Sequence, residues 1–181
     1  MDEIKDLLIR YKKDFPLEAE SVELFRAFAE QKGSLSRAQR IGHFTASAWI
    51  VNRDRSKTLL THHAKLDMWL QPGGHIEEGE DLHTAALREA AEESGLESVH
   101  LVFRDLFDID AHLIPERKGE EAHYHFDLRF LMEADSDETL KISAESKDLK
   151  WVRMEDVEKY NRNASVMRMA GKMNGNSLRR M

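Results

Sequence analysis

The chain has 181 residues, of which 34 are acidic and 27 basic, giving a formal charge of −7. This length suits one domain with additions, and 41% apolar with 34% charged residues excludes a disordered or low-complexity chain. With no cysteine, disulfides, thiolate metal sites and cysteine nucleophiles are excluded, and the acidity counts against a protein that coats nucleic acid.

Met1 to Phe15 is charged throughout and lacks the apolar core of a signal peptide. No apolar run approaches the roughly 18 residues needed to span a bilayer, so no membrane association and a cytoplasmic location are expected. Ile4, Leu7, Leu8 and Tyr11 recur at helical spacing. Phe15-Pro16 breaks that helix, and Pro16 can start a second one whose stripe is Val22, Phe25, Phe28 and Ala29, ended by Gly33-Ser34. Both stripes need burial, on the main domain or on a second subunit. Residues 1–34 therefore read as an N-terminal helical extension.

Phe44 to Val51 and Thr58 to His62 are rich in β-formers, with Asn52 to Ser56 as a hairpin turn between them. A glycine-rich loop and an Ala/Glu-rich helix occupy Pro72 to Ser94. Val99 to Ile109 and His123 to Met132 read as longer strands, separated by a polar loop at Lys118 to Glu121. Leu149 to Arg153 is a last short strand, and Glu155 to Tyr160 starts a helix. Phe126, Leu128 and Phe130 alternate with Asp127 and Arg129, the pattern of a strand that buries one face. The whole reads as an α/β domain over residues 35–160, a sheet covered by helices on both faces.

Residues 161–181 carry five basic and no acidic residues, which leaves −12 on residues 1–160. This segment reads as a C-terminal helix with a frayed, solvated end, or as a basic element for a substrate or partner.

The chemistry concentrates in Gly73-Gly74-His75-Ile76-Glu77-Glu78-Gly79-Glu80 and Arg88-Glu89-Ala90-Ala91-Glu92-Glu93-Ser94-Gly95-Leu96. Glu89, Glu92 and Glu93 share one side of a helix, where they repel each other and raise each other's pKa values. A hard divalent cation, Mg²⁺ or Mn²⁺, removes that conflict, since it binds through carboxylates and substrate phosphates. Gly73-Gly74 can bring a carbonyl close to such an ion. Arg88 can pair with Glu80 and hold the loop against the helix.

Gly74, Glu80 and Arg88 to Leu96, at this spacing, resemble the Nudix box, G-x5-E-x7-R-E-U-x-E-E-x-G-U. All seven fixed positions match, and Ala90 stands where the family usually has a larger aliphatic residue. The resemblance implies a Nudix-type α/β/α sandwich with a mixed sheet. It also implies hydrolysis of the diphosphate bond of a nucleoside diphosphate linked to another group, with Mg²⁺ or Mn²⁺. On this chain it makes Glu89, Glu92, Glu93 and the Gly74 carbonyl the metal ligands. Arg88 and Glu80 become orienting residues, and Glu145, in the loop before the last strand, becomes a candidate general base.

The helical extension and the chain length lean toward a nucleoside diphosphate sugar of the ADP-ribose or GDP-mannose type, and toward a homodimer built through the N-terminal helices. A proline expected soon after the box in ADP-ribose hydrolases is absent; positions 111 and 112 are Ala and His. Alternatives are an RNA 5′ pyrophosphohydrolase, opposed by the charge, a nucleoside triphosphate pyrophosphohydrolase, and a non-catalytic nucleotide-binding module. His123 and His125 share a strand face and could line a substrate cleft or bind a metal, with no third ligand obvious. Trp69 reads as a core aromatic or as a stacking surface for a base.

Overall fold

Eight strands form one mixed sheet in the computed structural model of the chain, which describes residues 1–116 and 121–174. The strands are β1 (Gly42–Asn52), β2 (Lys57–His63), β3 (Met68–Leu70), β4 (Gly73–His75), β5 (His100–Leu101), β6 (Asp108–Ile114), β7 (His123–Ala134) and β8 (Ser146–Arg153). β1 is the centre. All its residues are buried, and it runs parallel to β7 from Gly42↔Tyr124 to Asn52↔Ala134. On its other side, Thr45, Ala46 and Ser47 pair with His75, Gly74 and Gly73 of β4. That pairing fixes the glycine loop to the middle of the sheet.

Period-two alternation sends each strand's residues to two different cores. Phe44, Ala46, Ala48 and Ile50 of β1 and Phe126, Leu128, Phe130 and Met132 of β7 face α1 (Asp2–Asp14), α2 (Ala19–Ala29) and α3 (Leu82–Ser94). Trp49, Val51 and Leu131 face α4 (Val157–Tyr160) and α5 (Ala164–Asn174) on the other side. This is an α/β/α sandwich with a mixed sheet, as the sequence pattern predicts. No helix among the described residues is long and apolar enough to cross a membrane.

The stripes of α1 and α2 are buried within the single chain. Phe28 stacks on Phe126 with ring centroids 3.8 Å apart, and Phe25 meets the same ring edge-on at 5.4 Å. The apolar faces that suggested a homodimer are thus covered by the sheet of the same molecule.

Three sequence expectations change. The strand expected over Val99 to Ile109 is interrupted after Leu101 and resumes at Asp108, continuing to Ile114. Between the pairs Leu101↔Met132 and Asp108↔Arg129, six residues on one side face only two on β7, so the chain loops out. Leu106 and Phe107 bury into opposite cores there.

The second change concerns β7, which buries both faces. Asp127 and Arg129, expected on a solvated side, are 4% and 2% exposed. Arg129 donates to Asp127 at 2.8 Å and to Asp108 at 3.0 Å.

The third change concerns the basic C-terminal segment, which is not solvated along its helix. Arg168 donates to Asp108 at 2.8 Å from two nitrogens, and Lys172 donates to Asp108 and to the Tyr11 hydroxyl, each at 2.6 Å. Lys172 also pairs with Glu18 at 2.8 Å. The two helical layers therefore meet at the β6 edge through ion pairs. The polar loop at Lys118 to Glu120, and Arg179 and Arg180, lie outside the described residues.

Candidate active site

Asp81 starts α3 as its N-cap, accepting from the N–H groups of His83 and Thr84, and Gly95 ends it in the left-handed conformation at φ 73°. Leu82, Ala85, Ala86 and Ala90 form its buried side. The small residues bring the helix close to β1, and Ala90 is fully buried there.

The three box carboxylates do not share one environment. Glu92 is exposed, Glu89 half-buried and Glu93 buried at 5% exposure, so the set runs from solvent into the protein. Burial pushes Glu93 up to about 7, and the charges of Glu89 and Glu145 add to this, against the Gly73 N–H that donates to Oε1 at 3.0 Å. Burial likewise raises Glu89, opposed by Arg88. Glu145 sits exposed in the turn before β8, close enough for its charge to act on both.

Arg88 organises the loop. It donates from Nε to Glu80 Oε1 and from Nη2 to Glu80 Oε2, both at 2.9 Å, and from Nη2 to the His75 carbonyl at 2.9 Å. It also reaches Glu89 at 2.9 Å and Glu92 at 3.3 Å. The bidentate Arg88–Glu80 pair predicted from spacing is present.

Two observations fit a hard cation here. Glu93 Oε2 is buried with no hydrogen-bond partner, an unsatisfied acceptor that normally costs about 1–3 kcal/mol. Gly74 lets the Glu89 carboxylate pack against the loop backbone; a Cβ on it would lie 2.5 Å from Glu89 Oε1. A cation against Glu89, Glu92, Glu93 and the Gly74 carbonyl would satisfy the first and use the second.

The sheet face opposite α3 brings together residues that local sequence pattern cannot group. Asp127 accepts from Thr45 at 3.0 Å, Ser47 at 2.8 Å and Gln71 at 3.3 Å. Beyond it lie His43, His75, His123 and His125. His43 is the third imidazole beside His123 and His125, brought there by the parallel register His43↔His125. Burial, with the neighbouring histidines, lowers His75 to about 4 and His125 to about 2. Trp69 is half-buried at β3, stacked on His62 at 5.0 Å and meeting Tyr160 edge-on at 5.3 Å, a packing position rather than an open platform.

A model of the NUDIX domain matches residues 42–169, most of the chain. The chain belongs to the Nudix family. The match runs into the first half of α5, within the segment that composition alone assigns to a basic tail.

Among Nudix relatives, an RNA pyrophosphohydrolase of Sphingopyxis alaskensis is 31% identical over 104 residues, covering 51% of this chain and 65% of the relative. An asymmetrical bis(5′-nucleosyl)-tetraphosphatase of Caenorhabditis elegans is 30% identical over 91 residues, covering 50% and 62%. The aligned stretches span less than two thirds of either relative. A Nudix-family hydrolase of Clostridium perfringens superimposes with a TM-score of 0.56 at 28% identity, covering 75% of this chain and 97% of that one.

Proposed function

We propose that this chain hydrolyses a phosphoanhydride bond in a nucleotide-type substrate, a nucleoside diphosphate linked to another group. The observation that carries the reading is the buried Oε2 of Glu93, without a hydrogen-bond partner, with the Glu89 carboxylate packed against Gly74. In this reading Glu89, Glu92, Glu93 and the Gly74 carbonyl hold Mg²⁺ or Mn²⁺. The ion supplies phosphate charge neutralisation and a bound water of lowered pKa. The residues do the rest. Arg88 and Glu80 fix the loop so that Gly74 and Glu89 keep their spacing. Glu145 is the general-base candidate, exposed in the turn before β8 and close enough for its charge to act on Glu89 and Glu93.

Within that class we favour a nucleoside diphosphate sugar. The N-terminal helical extension and the length of the chain are what support that choice. A second reading has specific support: the relatives are named an RNA pyrophosphohydrolase and a bis(5′-nucleosyl)-tetraphosphatase, names that also point to phosphoanhydride bonds. The charge of −12 over residues 1–160 works against long RNA. A homodimer is not required by apolar burial. Exposed Ile9, Leu17 and Leu24 are what the N-terminal helices would offer to one, and light scattering at micromolar protein decides it.

The test is a panel of nucleotide sugars, dinucleoside polyphosphates, nucleoside triphosphates and 5′-triphosphorylated RNA, with products identified by mass. Turnover of a nucleotide sugar that needs Mg²⁺ or Mn²⁺ and falls by several orders of magnitude in Glu93→Gln supports the proposal. Turnover of only another member moves the substrate class, and none on any member returns the chain to a binding module.

A further inference from the structure

We propose a second metal site on the sheet face opposite the box helix, built by His43, His123 and His125 and suited to a borderline divalent cation of the Zn²⁺ type. The three residues sit on the two central strands. His123 and His125 are two apart on β7 and share a face, and His43 of β1 is the register partner of His125. Their ligand atoms all lie within 4.8 Å of one another. The Nε2 atoms of His123 and His125 are 3.3 Å apart, close to the spacing of about 3.3 Å between two nitrogens bound to a tetrahedral zinc.

One ligand is already oriented from behind. Nδ1 of His123 lies 2.8 Å from the Glu121 carbonyl, so it donates there and leaves the Nε2 lone pair directed at His125. This is the backing that metal-binding histidines ordinarily have. The ring of His75 stands 4.9 Å from that of His43 and 5.2 Å from that of His125, a fourth imidazole at the rim.

The donor set decides the metal. It contains three imidazoles and no carboxylate, which suits zinc, cobalt or nickel and not magnesium. The box carboxylates offer the reverse. Two chemically different cation sites would thus lie on opposite faces of the sheet, since Gly74 faces Glu89 of α3 while His75, next on β4, lies against His43. Three protein ligands leave a coordination position open, the hallmark of a site that takes water or an anion rather than one that only braces the fold.

Co²⁺ alone is the probe, titrated into the metal-free full chain and followed by its visible absorption, with Zn²⁺ as competitor. The expected result is a single equivalent of Co²⁺ with the intense bands of tetrahedral coordination, displaced by Zn²⁺. Glu92→Gln should keep these bands. His123→Asn and His125→Asn should weaken binding by more than the 10–100-fold that losing a backing residue costs. His123 is the first residue of β7, and circular dichroism checks that both variants fold. Absence of tetrahedral bands in the wild type overturns the site. So does a spectrum that both histidine variants leave unchanged, or one that Glu92→Gln abolishes. Since none of these readouts uses turnover, they stand apart from the hydrolase reading.

Discussion

Lys172 places its Nζ 2.6 Å from Asp108 Oδ1, joining the last helix to an edge strand 64 residues earlier. Asp108 is fully buried and also receives Arg129 and Arg168. Three cations therefore converge on one carboxylate, with Asp127, Asp110 and Glu18 as further partners. Removing one partner of a buried pair costs far more than the pair contributes, because the others stay charged and buried. Asp108→Asn is expected to lose about 3–5 kcal/mol of stability, read as a lower denaturant midpoint at unchanged m-value. A shift below about 1 kcal/mol would show that the cations find other partners.

The same cluster sets an acid limit. Burial alone would raise Asp110, but His112, Arg129 and Arg168 outweigh it and hold the carboxyl at about 2, below its ordinary 3.8; Asp108 is lowered for the same kind of reason. A carboxyl that releases its proton more readily when folded stabilises the fold above its unfolded pKa and loses that contribution as pH falls through the folded one. Stability should therefore drop between about pH 4 and pH 2, and Asp110→Asn should flatten that part of the curve. Thermal melts across that range check it.

What the sequence reveals and what it hides follow from the range of the interactions. The box is local. Glu80, Arg88, Glu89, Glu92 and Glu93 lie on one helix and its leading loop, so spacing alone predicts the Arg88–Glu80 pair that forms. The apolar stripes of α1 and α2 are legible for the same reason, but spacing cannot say which surface covers them. His43 and Asp127 are invisible to local pattern because their neighbours come from β1–β7 pairing across 82 residues. The basic run after position 160 misleads because net charge says nothing about burial: Arg168 and Lys172 spend their charge on Asp108.

Gly73 and Gly74 separate fold from site. A Cβ at Gly73 would run into the backbone and Cβ of Ser47, atoms held by the central sheet. Gly73→Ala should cost about 1–3 kcal/mol through overpacking. At Gly74 the obstacle is the end of the Glu89 side chain, which can swing away. Gly74→Ala should melt near the wild-type temperature while kcat falls about 100-fold, the scale of an ångström's misplacement in an active site. Equal losses of stability in both variants would contradict this division.

Arg88 tests whether geometry or charge matters in the loop. Its guanidinium serves two oxygens of Glu80, the His75 carbonyl and Glu89 at once, and it is 22% exposed. A lysine keeps the charge but offers a single compact donor on a flexible stem, so it cannot bridge Glu80 and the carbonyl while still touching Glu89. Arg88→Lys should lower kcat about 10–100-fold and weaken the response to Mg²⁺, with little change in melting temperature. Glu80→Gln should do less, because one oxygen still accepts from Arg88. If Arg88→Lys instead matches the wild type, the charge beside Glu89 is the whole contribution of this residue. The loop would then be held by the β1–β4 pairing alone.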